Sequence, residues 1–220
     1  MLIKDFFKLP NLLSLSRIFM VPFIGYYISK GDPLSTVISL GIIALAGLTD
    51  GLDGFAARIL NQKSRLGLIL DPIADKIIAV ALVILLILYR DFPLWLAIFI
   101  LSRDLLILIA SSTLMTQKGI VVPSNLTGKY AFASIVVLFA SYITTFEFGI
   151  TLMTPIVVIF LSASLMNYII TYYKIYKGIE LRTYQNNKKL RLIRSIGSSV
   201  VIVLILYNFY FHFIELIGKI

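Results

Sequence analysis

TDGLDGFAARILNQKSRLGLILDPIADK, residues 49–76, places Asp50, Asp53, Asp71 and Asp75 between strongly apolar flanks, in a chain that has only eleven acidic residues. On a helix Asp50 and Asp53 lie about 60° apart, and Asp71 and Asp75 about 40° apart, so each pair shares a face. A basic turn, Asn61–Leu66, joins the two stretches. Their helices are therefore expected to run antiparallel and to meet at a membrane boundary. Gly54 and Ala57 fall beside Asp50 and Asp53, and Gly67 falls on the stripe of Asp71 and Asp75. Small residues there let a ligand or a second backbone come close. The pattern is that of a pocket floor.

The flanks decide the fold class. The 220 residues are 59% hydrophobic, well above the 45–50% or so of soluble domains. Apolar runs long enough to span a bilayer recur at Leu12–Ile28, Leu34–Leu48, Leu68–Tyr89, Leu94–Thr116, Tyr130–Phe146 and Ile150–Tyr173. A further apolar stretch covers Ile196–Ile217. The expected fold is all-α: an integral membrane six-helix bundle, multi-pass, with an additional C-terminal hydrophobic segment that either spans or lies at the interface. Ile3, Phe6, Phe7 and Leu9, interleaved with Lys4 and Lys8, suggest a short N-terminal interfacial helix ending before Pro10. No signal peptide is read there, because Asp5 and Arg17 interrupt the apolar run.

Lysines and arginines set the orientation. With a cytoplasmic N-terminus, the inner side holds Lys4, Lys8, the basic residues of Arg58–Arg65, Lys118, Lys129 and those of Lys174–Arg194. The outer side holds Lys30, Arg90 and Lys219. That asymmetry obeys the positive-inside rule and puts the aspartate cluster on the cytoplasmic side. The net charge of +9 thus reads as attachment to the lipid bilayer rather than to nucleic acid. The absence of cysteine excludes disulfides and thiolate metal sites.

Breaks are expected at Gly31–Pro33, Arg90–Pro93, Gln117–Gly128 and Glu147–Gly149. The polar, basic Lys174–Arg194 stretch divides residues 1–178, a membrane domain, from residues 179–220, a basic linker with the C-terminal hydrophobic segment. The lone His212 lies in that last segment, and reads as a packed or interfacial histidine rather than a catalyst.

Four clustered carboxylates are costly. Two of them about 5 Å apart repel by roughly 3 kcal/mol at an effective dielectric of about 20, and four make six pairs. Arg58 and Lys76 offset two of the four charges. Protons or metal ions must offset the rest. All-oxygen donors suit Mg2+ or Mn2+ rather than zinc, and two such ions about 3.5–4 Å apart would welcome a diphosphate. Two other readings stand beside this one. Asp71 before Pro72 could simply cap a helix, or the carboxylates could line a proton or cation pathway.

The same stretch resembles the signature of the CDP-alcohol phosphatidyltransferases, D-x2-D-G-x2-A-R-x8-G-x3-D-x3-D, at Asp50, Asp53, Gly54, Ala57, Arg58, Gly67, Asp71 and Asp75. The likeness extends over Leu9–Lys177. It implies a cytoplasm-facing polar cavity in a six-helix bundle, normally dimeric. It also implies two divalent ions held by Asp50, Asp53, Asp71 and Asp75, with Asp75 also the base. CDP-diacylglycerol would be held through Asp53, Gly54, Ala57, Arg58 and Gly67, with CMP as the leaving group.

Three further places bear on the acceptor. LPNLLSLSRI, residues 9–18, resembles the opening of phosphatidylglycerophosphate and cardiolipin synthases within this family, and puts Asn11, Ser14 and Arg17 on one helical face. Arg17 either lines the pocket or snorkels to the headgroups. Arg103 lies beside Asp104 inside an apolar span, either neutralised there or turned to an acceptor phosphate. Lys129 stands at a cytoplasmic helix entrance, as topology alone could explain or as an anion ligand. These residues favour a glycerol-type acceptor. Glycerol 3-phosphate would give phosphatidylglycerophosphate, and phosphatidylglycerol would give cardiolipin. A carboxylate-dependent ion or proton transporter is the alternative of a different class, and a structural membrane scaffold is a third.

Overall fold

The computed structural model describes residues 8–59, 67–118, 126–177 and 207–220. Every regular element among them is a helix: α1 Leu9–Lys30, α2 Pro33–Ile59, α3 Gly67–Tyr89, α4 Leu94–Lys118, α5 Leu126–Ile143, α6 Glu147–Tyr176 and α7, 207–217. Four stretches within them are long and apolar enough to cross a membrane, Asn11–Lys30, Leu94–Leu114, Leu126–Ile143 and Glu147–Tyr176, and Pro33–Thr49 is a shorter apolar helix. The protein is an all-α integral membrane protein. The suggested interfacial helix before Pro10 falls almost entirely outside the described residues.

The chain divides into two compact units, Met1–Pro93 with Lys219–Ile220, and Leu94–Gly218. In the first, α1 packs against both α2 and α3. Pro10 sits in the first turn of α1, where its missing N–H costs nothing. The helix ends at Gly31, whose φ of 72° is the left-handed conformation that glycine adopts without strain. Asp32 then starts α2 at once. Its Oδ1 accepts from the Ser35 N–H at 2.9 Å and its carbonyl accepts from Thr36 N–H at 2.9 Å, with Pro33 as the first helical residue. Val21 and Ile24 of α1 meet Ile78, Ala81, Leu82 and Leu85 of α3. Gly25 permits the close approach, since a Cβ there would stand 3.1 Å from a Leu85 methyl.

In the second unit α6 packs against α4 and α5. Ala131, Leu138 and Tyr142 of α5 and Met153, Val157 and Leu161 of α6 are buried. The α5–α6 turn falls at Thr144–Phe146, three residues before the expected break at Glu147–Gly149. Phe146 N–H donates to Ser141 O at 2.8 Å and Thr145 N–H to Tyr142 O at 3.2 Å, with Thr145 left-handed at φ 54°. These are the two bonds of a Schellman helix end. Gly149 is helical, and its role is packing: a Cβ there would collide with the Phe146 ring and the Ser141 hydroxyl. α7 reaches this turn. His212 Nε2 lies 2.9 Å from Thr144 O and its ring stacks on Phe146 at 4.9 Å. It is a packed histidine.

Phe19, Phe23, Leu105, Ile109, Phe132, Ile159 and Ile169 are exposed. Large side chains in such number on the outside suit a hydrocarbon solvent and not water.

Candidate functional site

α1 carries a polar face inside an apolar helix. Asn11, Ser14 and Arg17 recur every third residue and are buried, at 2%, 0% and 1% exposure. Arg17 therefore does not snorkel to the surface. A guanidinium so deep needs a carboxylate, and Arg17 Nη1 ion-pairs with Asp75 Oδ1 of α3. The two residues are 58 apart in sequence, and the α1–α3 packing brings them together. The Asp75 side chain is 51% exposed. A half-exposed carboxylate thus carries a fixed cation.

Asp50, Asp53, Gly54, Ala57 and Arg58 lie on the last helical turns of α2, and Gly67 and Asp71 on the first of α3. The shared faces expected for the two aspartate pairs therefore hold at the level of backbone register. The side chains of Asp50, Asp53, Arg58 and Asp71 lie outside the described residues, and so does the turn 60–66.

The second unit holds the other acceptor candidates. Arg103 Nη1 donates to Asp104 Oδ1 at 2.7 Å, and Nη2 donates to the Ser164 hydroxyl of α6. The pairing with Asp104 is real, but it does not exhaust the guanidinium. Lys129 is exposed on the first turn of α5. Two residues earlier, Thr127 Oγ1 accepts from Asn167 Nδ2 of α6 at 3.1 Å. Sequence reasoning missed Ser164 and Asn167. Their signal was present as two polar side chains three apart within an apolar span.

The donors suit a divalent cation. They are carboxylates without thiol or imidazole in the motif, which match hard, oxygen-seeking ions. Asp75 already binds a cation, the Arg17 guanidinium, through one oxygen and is half open besides. Among the described side chains alone, no group of three or more metal-type ligands is complete.

Four helices long and apolar enough to cross a bilayer define an integral membrane protein. The profile of the CDP-alcohol phosphatidyltransferase family matches residues 7–173, and the chain belongs to that family. The cardiolipin synthase (CMP-forming) of Rattus norvegicus is 46% identical over 104 residues, 46% of this chain and 33% of that protein. The CDP-diacylglycerol–glycerol-3-phosphate 3-phosphatidyltransferase of Aquifex aeolicus (strain VF5) is 47% identical over 70 residues, 32% of this chain and 38% of its own. The Bacillus subtilis (strain 168) protein of the same name is 32% identical over 135 residues, 56% of this chain and 69% of its own. The matched region spans about a third of the length of the rat and Aquifex relatives.

Proposed function

We propose that the protein transfers a phosphatidyl group from CDP-diacylglycerol to a glycerol-type acceptor, foremost glycerol 3-phosphate, and releases CMP. The observation that carries this reading is the complete eight-residue motif, Asp50 to Asp75, laid on the end of one helix and the start of the next in a chain of this family. Asp50, Asp53, Asp71 and Asp75 would hold two divalent ions, Mg2+ or Mn2+, whose charge stabilises the diphosphate and the departing CMP. Asp53, Gly54, Ala57, Arg58 and Gly67 bind the CDP portion, with the guanidinium toward its phosphates. Asp75 takes the proton of the acceptor hydroxyl. The hydroxyl oxygen then bonds to the phosphorus that bears the lipid, and the bond from that phosphorus to CMP breaks. Arg17 holds one Asp75 oxygen and so orients the other. Asn11 and Arg17 border the pocket, and Arg103 and Lys129 bind the acceptor phosphate. Residues 1–178 form the catalytic membrane domain, working as a homodimer with its site toward the cytoplasm.

Cardiolipin formation from phosphatidylglycerol is the second reading, favoured by the name of the rat relative. A carboxylate-gated ion pathway does not need Gly54, Ala57, Arg58 and Gly67 at these spacings, and the family match speaks against it. The deciding experiment is an acceptor panel. Purified protein receives labelled CDP-diacylglycerol with glycerol 3-phosphate, phosphatidylglycerol, inositol phosphate or serine, with Mg2+, Mn2+ or EDTA. CMP release only with glycerol 3-phosphate and a divalent ion is the expected result. Release with phosphatidylglycerol alone selects the second reading, and release with none overturns both.

A further inference from the structure

Ser164 is fully buried on α6, in a helix otherwise built for lipid and packing. Its hydroxyl accepts from Arg103 Nη2, while Asp104 Oδ1 accepts from Nη1. A guanidinium is planar and presents its donors in a rigid fork, so two acceptors on different helices fix its plane. The Arg103 side chain is only 12% exposed. Its Nε–H is buried and, among the described residues, meets no acceptor. One turn further along α6, Asn167 bonds Thr127 and ties down the turn of α5 that carries Lys129. Both basic residues assigned to the acceptor are thus braced by one face of α6.

We propose that Ser164 is a positioning residue for the phosphate-bearing acceptor: it locks the Arg103 guanidinium in the plane that meets the acceptor's phosphate. This rests on the proposed role of Arg103 and deepens it. A hydroxyl that merely clamped α4 to α6 would matter for stability and for nothing else. A hydroxyl that aims a cation matters for one substrate and not for the other. Phosphate is the shared chemistry of glycerol 3-phosphate and phosphatidylglycerol, and both are tested, with unphosphorylated glycerol as the control.

The test combines kinetics with direct binding. Full-length protein in nanodiscs is titrated calorimetrically with each acceptor, and CMP release gives KM for each substrate. Ser164→Ala is expected to weaken binding of the preferred phosphate-bearing acceptor and raise its KM on the order of tenfold. The KM for CDP-diacylglycerol stays at its wild-type value, while the melting temperature falls by about 2–4 °C for the lost buried hydrogen bond. Ser164→Thr, which keeps the hydroxyl, restores acceptor affinity. In an Arg103→Gln background Ser164→Ala adds no further loss, because both changes remove one interaction. Unchanged acceptor affinity in Ser164→Ala, a loss shared equally by CDP-diacylglycerol, or strict additivity with Arg103→Gln overturns the proposal while leaving the transferase reading intact. A wild-type protein that binds neither acceptor and releases no CMP removes both.

Discussion

Arg17 is the residue whose structural role the sequence half revealed. Its spacing from Asn11 and Ser14 marks a common face, but nothing local says that the face turns inward toward α3. That depends on how two helices separated by a third pack together, and a partner 58 residues away leaves no periodic trace. The aspartate motif was legible because its constraints lie within 26 consecutive positions, at the end of one helix, the start of the next and the link between them. The pair also separates chemistry from architecture at Asp75. Asp75→Asn keeps an amide oxygen to accept from Arg17 but removes the counter-charge, so melting temperature should fall, by less than in Asp75→Ala. CMP release should fall by about 100-fold or more, the usual loss when a general base is removed. Asp75→Ala leaves Arg17 without that acceptor. It should lose the same activity and also about 1–2 kcal/mol of stability in thermal unfolding.

At the scale of elements, two turns respond to different disturbances. In the α1–α2 turn the Ser35 hydroxyl and backbone N–H hold the Asp32 carboxyl below the ordinary carboxylate range. A depressed folded value means that the ionised cap stabilises fully above about pH 3.9, the value of the unfolded chain. The contribution is lost as pH falls through the lower, folded value. Asp32→Ala should therefore melt earlier than wild type at pH 7, with the two curves converging in strong acid. In the α5–α6 turn the vulnerable group is a hydrogen. Gly149→Ala forces a methyl into Phe146 and Ser141 and should cost about 1–3 kcal/mol, the usual penalty of overpacking. Loss of the Phe146–His212 stacking, followed by the histidine ring resonances, should accompany the drop. The glycine misled the reading of this turn for a physical reason. Composition marks glycine as a breaker, whereas here it serves close packing. The true break is made by Thr145, a β-branched residue that rarely adopts a left-handed backbone. Elsewhere the legible breaks, Gly31–Pro33 and Arg90–Pro93, are those where residue type and backbone conformation agree.

Across the whole molecule, hydropathy was enough to identify the class because lipid demands helices that satisfy their own backbones. Whether the final segment spans was not legible, since an apolar stretch after a basic linker suits either a spanning helix or a surface anchor. The clasp between His212 and the α5–α6 turn bears on that choice. Lys177 closes α6 at one end, and Thr144 lies just beyond its other end, 30 helical residues away. At about 1.5 Å per residue these points are some 45 Å apart. His212 lies at the second of these points and not at the first. A reporter fused after Ile220 should consequently emerge on the face opposite Lys177. A single cysteine placed there, in a chain that has none of its own, should react with an impermeant maleimide from that face and stay shielded from the other.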